Sequence, residues 1–299
     1  MKNIIVITGG AGFVGSNLIE HFLNKTIFQI ISLDNYSSGT LKNHIKNRRI
    51  KYLKSDTKKI DLVLKKYKSK INAVFHFGEF SRIYQSFLKF DKCFQSNSIG
   101  SNAVFRFCLE NKIKLIYSAT SATLGNGGKD KNLSPYAFFK FKNLELLENL
   151  KEWFGLKYEV VYFYNVYGPR QVCKGDMATV VGIFEDHYLK NKKLPVVKPG
   201  TQSRRFTHIK DTVKVCFDAW KLNKNRHYSI SNKKSYSIVE LAKMFQSKLT
   251  YLPKRRGERY ASALNNMNLN NRIYKKFGQI SLKLYVQKFL KKHRFTRKN

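Results

Sequence analysis

The sequence predicts an α/β fold, a doubly wound parallel sheet with a smaller, mixed C-terminal lobe, and three observations carry that prediction. The chain opens on an apolar, β-branched run, Ile4-Ile5-Val6-Ile7-Thr8, which leads into closely spaced glycines and then an amphipathic stretch over 17–23. Further apolar runs recur at 30–34, 50–55, 73–77, 114–118 and 158–164, each separated from the next by enough residues for a crossover, usually a helix. After Gly168-Pro169 the rhythm breaks and Pro195, Pro199 and Gly200 punctuate it, so a second unit is expected there.

The first strand and its glycines are the most specific local feature. A short β-run, a tight turn and a helix put backbone N–H groups where a pyrophosphate can approach, and glycine removes the side chains that would block it. Gly10, Gly12 and Gly15 fit one dinucleotide spacing; Gly9, Gly12 and Gly15 fit its variant. Gly9, Gly12, Phe13, Val14 and Gly15 are therefore expected to touch a cofactor. The second strand ends in Asp34, whose carboxylate would accept from the adenosine ribose hydroxyls and repel a 2′-phosphate, which selects NAD over NADP.

Helices are expected over 12–24, near 60–66, over 94–111 and over 136–153, then over 212–220 and 237–245. A domain of residues 1–167, rejoined by 206–232, is thus expected to hold the cofactor. Residues 168–205 and 233–299 form the expected substrate lobe, with a basic loop at 253–259.

Composition narrows the class. At 299 residues the chain can bury a sizeable core. No run of about 18 apolar residues suggests a membrane span, and the N-terminus does not read as a signal peptide. The four cysteines, Cys93, Cys108, Cys173 and Cys216, are far apart and form no C-x-x-C pair. No metal site and no disulfide framework is expected, and a reducing cytoplasm fits. The formal net charge is +38, from 57 Lys and Arg against 19 Asp and Glu. Because the basic residues are spread along the whole chain, the charge reads mainly as background, with a polyanion-binding surface as the alternative. No specific nucleic-acid partner is expected. The basic C-terminal stretch is amphipathic through Leu282, Leu284, Tyr285, Phe289 and Leu290, which suits a solvated terminal helix or, second, a membrane-surface contact.

Tyr136 and Lys140 stand four apart just after Pro135, on a stretch with helical apolar spacing, so their side chains share one helix face. A phenol is a poor base near neutrality, but a neighbouring ammonium stabilises the phenolate, and the pair can then take a hydroxyl proton as hydride leaves the same carbon. The hydroxyl-rich stretch 117–125, just past the carboxyl end of the fifth strand, lies where open α/β sheets place their ligand crevice.

With these motifs in this order, the chain resembles the extended short-chain dehydrogenase/reductase superfamily, the NAD-dependent sugar-nucleotide epimerases and dehydratases, from Met1 to about Gly257. The resemblance implies NAD as cofactor and a nucleotide-diphosphate sugar as substrate. It places Gly9, Gly12 and Gly15 on the glycine motif, Asp34-Asn35 on the ribose-binding position, Asp56 on the adenine contact, Phe77 in the fourth-strand motif and Asn97 in the helix that follows. Counting back from Gly125 puts Thr120 on the catalytic hydroxyl, with Ser121 and Ser118 as fallbacks, and Tyr136 and Lys140 complete the triad. Asn165, Arg204 and Arg255 match positions that hold the sugar donor's diphosphate, where guanidinium forks suit paired oxygens. A homodimer through the helices at 94–111 and 136–153 is implied as well.

Departures from the family pattern are equally legible. Gly78-Glu79 stands where a small apolar pair is usual, so Glu79 and Arg82 are expected either to contact substrate or to pair with each other. Leu124 replaces the tyrosine usual before Gly125, Arg205 occupies the usual Asp position, and the segment 263–268 matches the family poorly. Family dehydratases follow the catalytic hydroxyl with an Asp-Glu pair; here Ser121 and Ala122 follow Thr120, and neither can act as a carboxylate acid or base. The expected activity is therefore epimerisation at C4. A dehydratase, decarboxylase or reductase of the same group is the alternative, and a non-catalytic NAD- or polyanion-binding protein the third.

Overall fold

The strand β1 (Ile4–Thr8) is buried along its whole length, as a strand of a parallel sheet covered on both faces must be. The computed structural model describes residues 2–258 and 273–294. β1 pairs in parallel with β2 (Gln29–Asp34) on one side and β4 (Ile71–His76) on the other. β3 (Ile50–Lys54) extends the sheet beyond β2, and β5 (Lys114–Thr120) and β6 (Tyr158–Phe163) extend it beyond β4. The order reverses between β1 and β4, which opens a crevice at their carboxyl ends.

The sheet carries a core on each face. Val6, Leu33, Val74, Phe105, Leu115 and Leu147 belong to one, and Ile5, Ile7, Phe22, Phe75, Val161 and Val213 to the other. Residues 209–222 explain the second. The helix Ile209–Leu222 lies against α1 (Phe13–Lys25), with Phe22 meeting Phe217 and Trp220 at ring distances of 5.2 and 5.1 Å. The strand His227–Ser231 that follows pairs in parallel with β6. Beyond it, Ile273–Phe277 adds an eighth strand at the edge. The sequence assigns that segment to the substrate lobe, but the outer edge of His227–Ser231 offers a row of backbone groups that a passing strand satisfies.

The lobe has its own core of Phe184, Leu194, Val196, Leu241, Phe245 and Val286. Two small sheets brace it, Leu194–Val197 with Leu249–Leu252 and Ser203–Arg205 with Ser235–Ser237. The terminal helix Leu282–His293 buries Leu282 and Val286 there, with Tyr285, Phe289 and Leu290 packed alongside. The lobe thus takes up that apolar face apart from Leu284, which stays exposed. Among the described residues no helix is long and apolar enough to cross one.

The helices between β4 and β5 also differ from the sequence reading. A short helix, Ile83–Leu88, precedes the long one. The expected helix over 94–111 begins at Phe90, loosens into a π-helical turn over Gln95–Gly100 and resumes as Ser101–Glu110. The segment 263–268 and Arg259 lie outside the described residues.

Candidate active site

The glycine turn is built for close approach. Gly9 has φ +69°, and a Cβ there would stand 2.8 Å from the carbonyl carbon and oxygen of Phe77, so no other residue fits. A Cβ on Gly12 would meet only the carbonyl of Gly9, at 3.1 Å, and Gly12 lines the cavity above the turn. Asp34 closes the far side of the turn: its carboxylate accepts from Ala11 N at 2.9 Å and Tyr36 N at 2.7 Å. Burial pushes its carboxyl upward, and those two backbone N–H groups oppose the shift. Each oxygen keeps lone pairs for a further donor, as a ribose diol would supply. Asp56 caps the turn over Thr57–Lys59 and holds Asn35 Nδ2 at 3.1 Å.

From this turn a cavity of ≈ 470 Å³ runs along the crevice to the lobe, bordered by Gly12, Phe13, Val14, Asp34, Phe77, Thr120, Tyr136, Lys140, Asn165, Arg204 and Arg255 among others. It therefore brings together most of the residues singled out in the sequence. The glycine turn, with an unblocked backbone and a ribose-competent carboxylate, could hold a dinucleotide. Among the described residues no group of three His, Cys, Asp or Glu could hold a metal.

The helix Pro135–Phe154 carries Tyr136 and Lys140. Ser134 caps it by accepting from Ala137 N, Pro135 starts it, and Gly155 ends it in a left-handed conformation. Tyr136, Lys140, Asn143 and Leu147 form its buried stripe at helical spacing. Thr120, at the end of β5, caps the following turn by accepting from Ala122 N at 3.2 Å. The hydroxyl of Ser118 donates instead to His76 O at 2.9 Å.

Glu79 is the departure that reshapes the site. Its carboxylate meets Lys140 Nζ, and the two side chains are 2 % and 4 % exposed. The expected pairing with Arg82 is not formed. Arg82 immediately precedes the helix Ile83–Leu88 and donates to Met177 O, while Glu79 reaches Lys140 on the Tyr136 helix. The other Glu79 oxygen accepts from Ser101 Oγ at 2.7 Å, Tyr117 OH at 3.1 Å and Asn143 Nδ2 at 3.3 Å. Burial, then the neighbouring carboxylate, holds the Tyr117 phenol well above its usual range, so it serves as a donor. Asn143 also reaches the carbonyl of Asn97 at 2.7 Å, within the π-helical turn.

The chain of bonds continues to β1. Thr8 Oγ1 accepts from Phe77 N at 3.1 Å and Gly78 N at 3.0 Å, so its own proton goes to His76 Nδ1 at 2.8 Å. His76 Nε2 then carries the hydrogen facing Ser101 Oγ at 3.0 Å. The neutral ring this requires agrees with burial, which pushes His76 down to about 4.

On the lobe side, Arg204 pairs with Glu258 at 2.6 Å and Asn165 donates to Arg205 O at 2.9 Å. Arg255 lies over the Tyr84 ring at 5.2 Å. Gln202, which sequence reasoning missed, lines the cavity with a buried Oε1 that has no partner among the described residues. The network residues Ser101 and Asn143 were missed too, and Tyr117 was read only as the start of the hydroxyl-rich stretch 117–125; Asn143, on the Tyr136–Lys140 face, carried a readable signal.

A family model described as NAD dependent epimerase/dehydratase family matches residues 5–231. An ADP-L-glycero-D-manno-heptose-6-epimerase of Brachyspira hyodysenteriae is 29% identical over 257 residues, 80% of this chain and 79% of that protein. The UDP-glucose 4-epimerase of Thermotoga maritima, solved with UDP-glucose, superimposes with a TM-score of 0.82 at 25% identity, covering 97% of this chain and 99% of that one. The UDP-N-acetylglucosamine 4-epimerase of Methanobrevibacter ruminantium gives 0.82 at 26% identity, covering 98% and 100%.

His76 generates a pH prediction. A histidine held neutral in the fold contributes stability that is full above its unfolded pKa, about 6.5, and lost as pH falls toward about 4. His208, also pushed down to about 4 by burial, acts in the same direction. The unfolding free energy from urea titrations should fall by about 2 kcal/mol more between pH 7 and pH 4.5 for the wild type than for His76→Asn. Parallel curves would show that His76 is not held neutral.

Proposed function

The chain belongs to the NAD dependent epimerase/dehydratase family, and from that premise we propose that it inverts C4 of a nucleotide-diphosphate sugar through a transient 4-keto sugar. The observation that carries this reading is that Thr120, Tyr136 and Lys140 border one cavity with the glycine turn, and that Thr120 is followed by a stretch, 121–125, that holds no carboxylate. Tyr136 takes the proton of the C4 hydroxyl and returns it after the face has changed. Thr120, whose oxygen already accepts from Ala122 N, has its own proton to donate to the sugar oxygen. Bound NAD supplies the hydride acceptor and donor.

The glycine turn, Asn35, Asp56, Phe77 and Lys140 hold the cofactor in this reading, with Asp34 on the adenosine ribose. Asn165, Arg204 and Arg255 face the diphosphate, and the Gln202 oxygen, unpartnered among the described residues, accepts a donor from the sugar nucleotide. The two solved relatives act, by name, on UDP-sugars at C4, which supports the choice of carbon. A second reading, elimination of water from the sugar, is favoured by one observation: Glu79 is a carboxylate bordering the cavity. Its engagement by Lys140, Ser101, Tyr117 and Asn143 favours epimerisation instead.

Purified protein with UDP-glucose, UDP-galactose and their N-acetylhexosamine and GDP counterparts, followed by proton NMR, tests the reading. C4 inversion of one pair is expected, and Tyr136→Phe should slow it about 10²- to 10⁴-fold. A 4-keto-6-deoxy product would replace epimerisation by elimination, and inversion unaffected in Tyr136→Phe would remove the tyrosine from the chemistry.

Assembly belongs to the same reading. Phe90, Phe94, Phe138 and Phe139 line an open apolar groove where the helices Phe90–Phe94 and Pro135–Phe154 meet, with Phe90 52% and Phe138 40% exposed. A second copy of the chain covering this face would remove that surface from water. Light scattering should give a dimer for the wild type and a monomer for Phe138→Glu; a monomeric wild type at micromolar concentration would refute this.

A further inference from the structure

Lys140 enters the fold with a counter-charge of its own. An ammonium has three N–H donors. One goes to Glu79 Oε2 and one to Ser118 O, and Ser118 Oγ stands 3.4 Å from the same nitrogen. Glu79 is fixed from its other side by Ser101, Tyr117 and Asn143. Ser101 is fixed in turn by His76. The pair is buried, braced by the sheet and two helices, and carries no net charge.

Its place in the cavity gives that neutrality a consequence. Asp34 and the glycine turn mark the adenosine end. A dinucleotide laid across the switch point between β1 and β4 ends at the carboxyl ends of β4 and β5, where Glu79, Ser118, Thr120 and Tyr136 border the same cavity. The oxidised nicotinamide carries one positive charge and the reduced ring carries none. A lone buried ammonium at that end would favour the reduced form. At an effective dielectric of about 20, one uncompensated charge within about 10 Å changes the ratio of the two affinities roughly tenfold.

We propose that Glu79 is a positioning residue that cancels the charge of Lys140 at the redox end of the cofactor cavity, so that oxidised and reduced nicotinamide are held with similar affinity. An enzyme that takes and returns hydride in each turnover must hold both forms. The inference rests on the family's dependence on NAD and on no particular sugar. Arg82 also borders this end, but it donates to Ser81 O and Met177 O on the opposite wall. It is unchanged by substitutions at Glu79 and Lys140 and cancels in their comparison.

The test is equilibrium binding of NAD and of NADH to the full-length protein, freed of retained cofactor, for the wild type, Glu79→Gln, Lys140→Met and the double variant. Glu79→Gln keeps the side-chain volume and should raise the ratio of the NAD Kd to the NADH Kd about tenfold. Lys140→Met leaves the carboxylate and should lower that ratio by a similar factor. The double variant should return to within about threefold of the wild type. If Glu79→Gln weakens both forms in parallel, Glu79 only packs the site and the proposal fails. It fails equally if the shift persists in the double variant, since Glu79 would then not act through Lys140. A wild-type protein that bound neither form would refute the cofactor placement and this inference with it.

Discussion

Two opposite charges withdrawn from water at the carboxyl end of the sheet must be satisfied on every side, and the residues around Glu79 and Lys140 are arranged by that requirement. The cost of burying them is offset only when the remaining lone pairs and protons also find partners. Ser101, Tyr117 and Asn143 meet the carboxylate, and Ser118 meets the ammonium. Behind them Thr8 and His76 carry the order back to the first strand. The loosened helical turn over Gln95–Gly100 belongs to the same arrangement, because it presents the carbonyl of Asn97 to Asn143. Π-helical turns of this kind gather at functional sites.

The surrounding fold supplies rigidity. β1, β4 and β5 are buried strands of a parallel sheet, and their carboxyl ends deliver Thr8, His76, Ser118 and Thr120 to one level. The helix with Tyr136 and Lys140 packs across this level through Leu144 and Leu147. The lobe closes the opposite side with Arg204, itself paired with Glu258, so the cavity lies between a packed wall that carries Thr120, Tyr136 and Lys140 and a polar wall that carries Arg204 and Arg255. Sites built on packed strands and helices hold their geometry better than sites on loops.

What the sequence disclosed and what it withheld divide by range. The inner strands were legible because a doubly covered strand is apolar through its middle, as Ile4–Ile7 and Ala73–Phe75 are. The glycine turn and the Tyr136–Lys140 spacing were legible because each is a local pattern tied to one backbone geometry. The ion pair was not: Glu79 and Lys140 are 61 residues apart, and only the packing of a helix on the sheet brings them together. The same holds for Arg204 and Glu258, 54 residues apart. Ile83–Leu88 escaped notice because it is only six residues long, with Ser86 its one fully buried position and no clean helical stripe. The edge strand Ile273–Phe277 depends on a neighbouring edge rather than on its own composition.

A crystal structure with NAD bound tests the central claim most directly, because it shows whether the cofactor accepts the pair as it stands. The account predicts that Lys140 Nζ remains on Glu79 at about 2.7–2.9 Å, a charge-assisted hydrogen-bond length, with Ser101, Tyr117 and Asn143 unchanged around the carboxylate and Tyr136 beside the nicotinamide. Lys140 swung away from Glu79, with the carboxylate turned to other partners or to water, would contradict it.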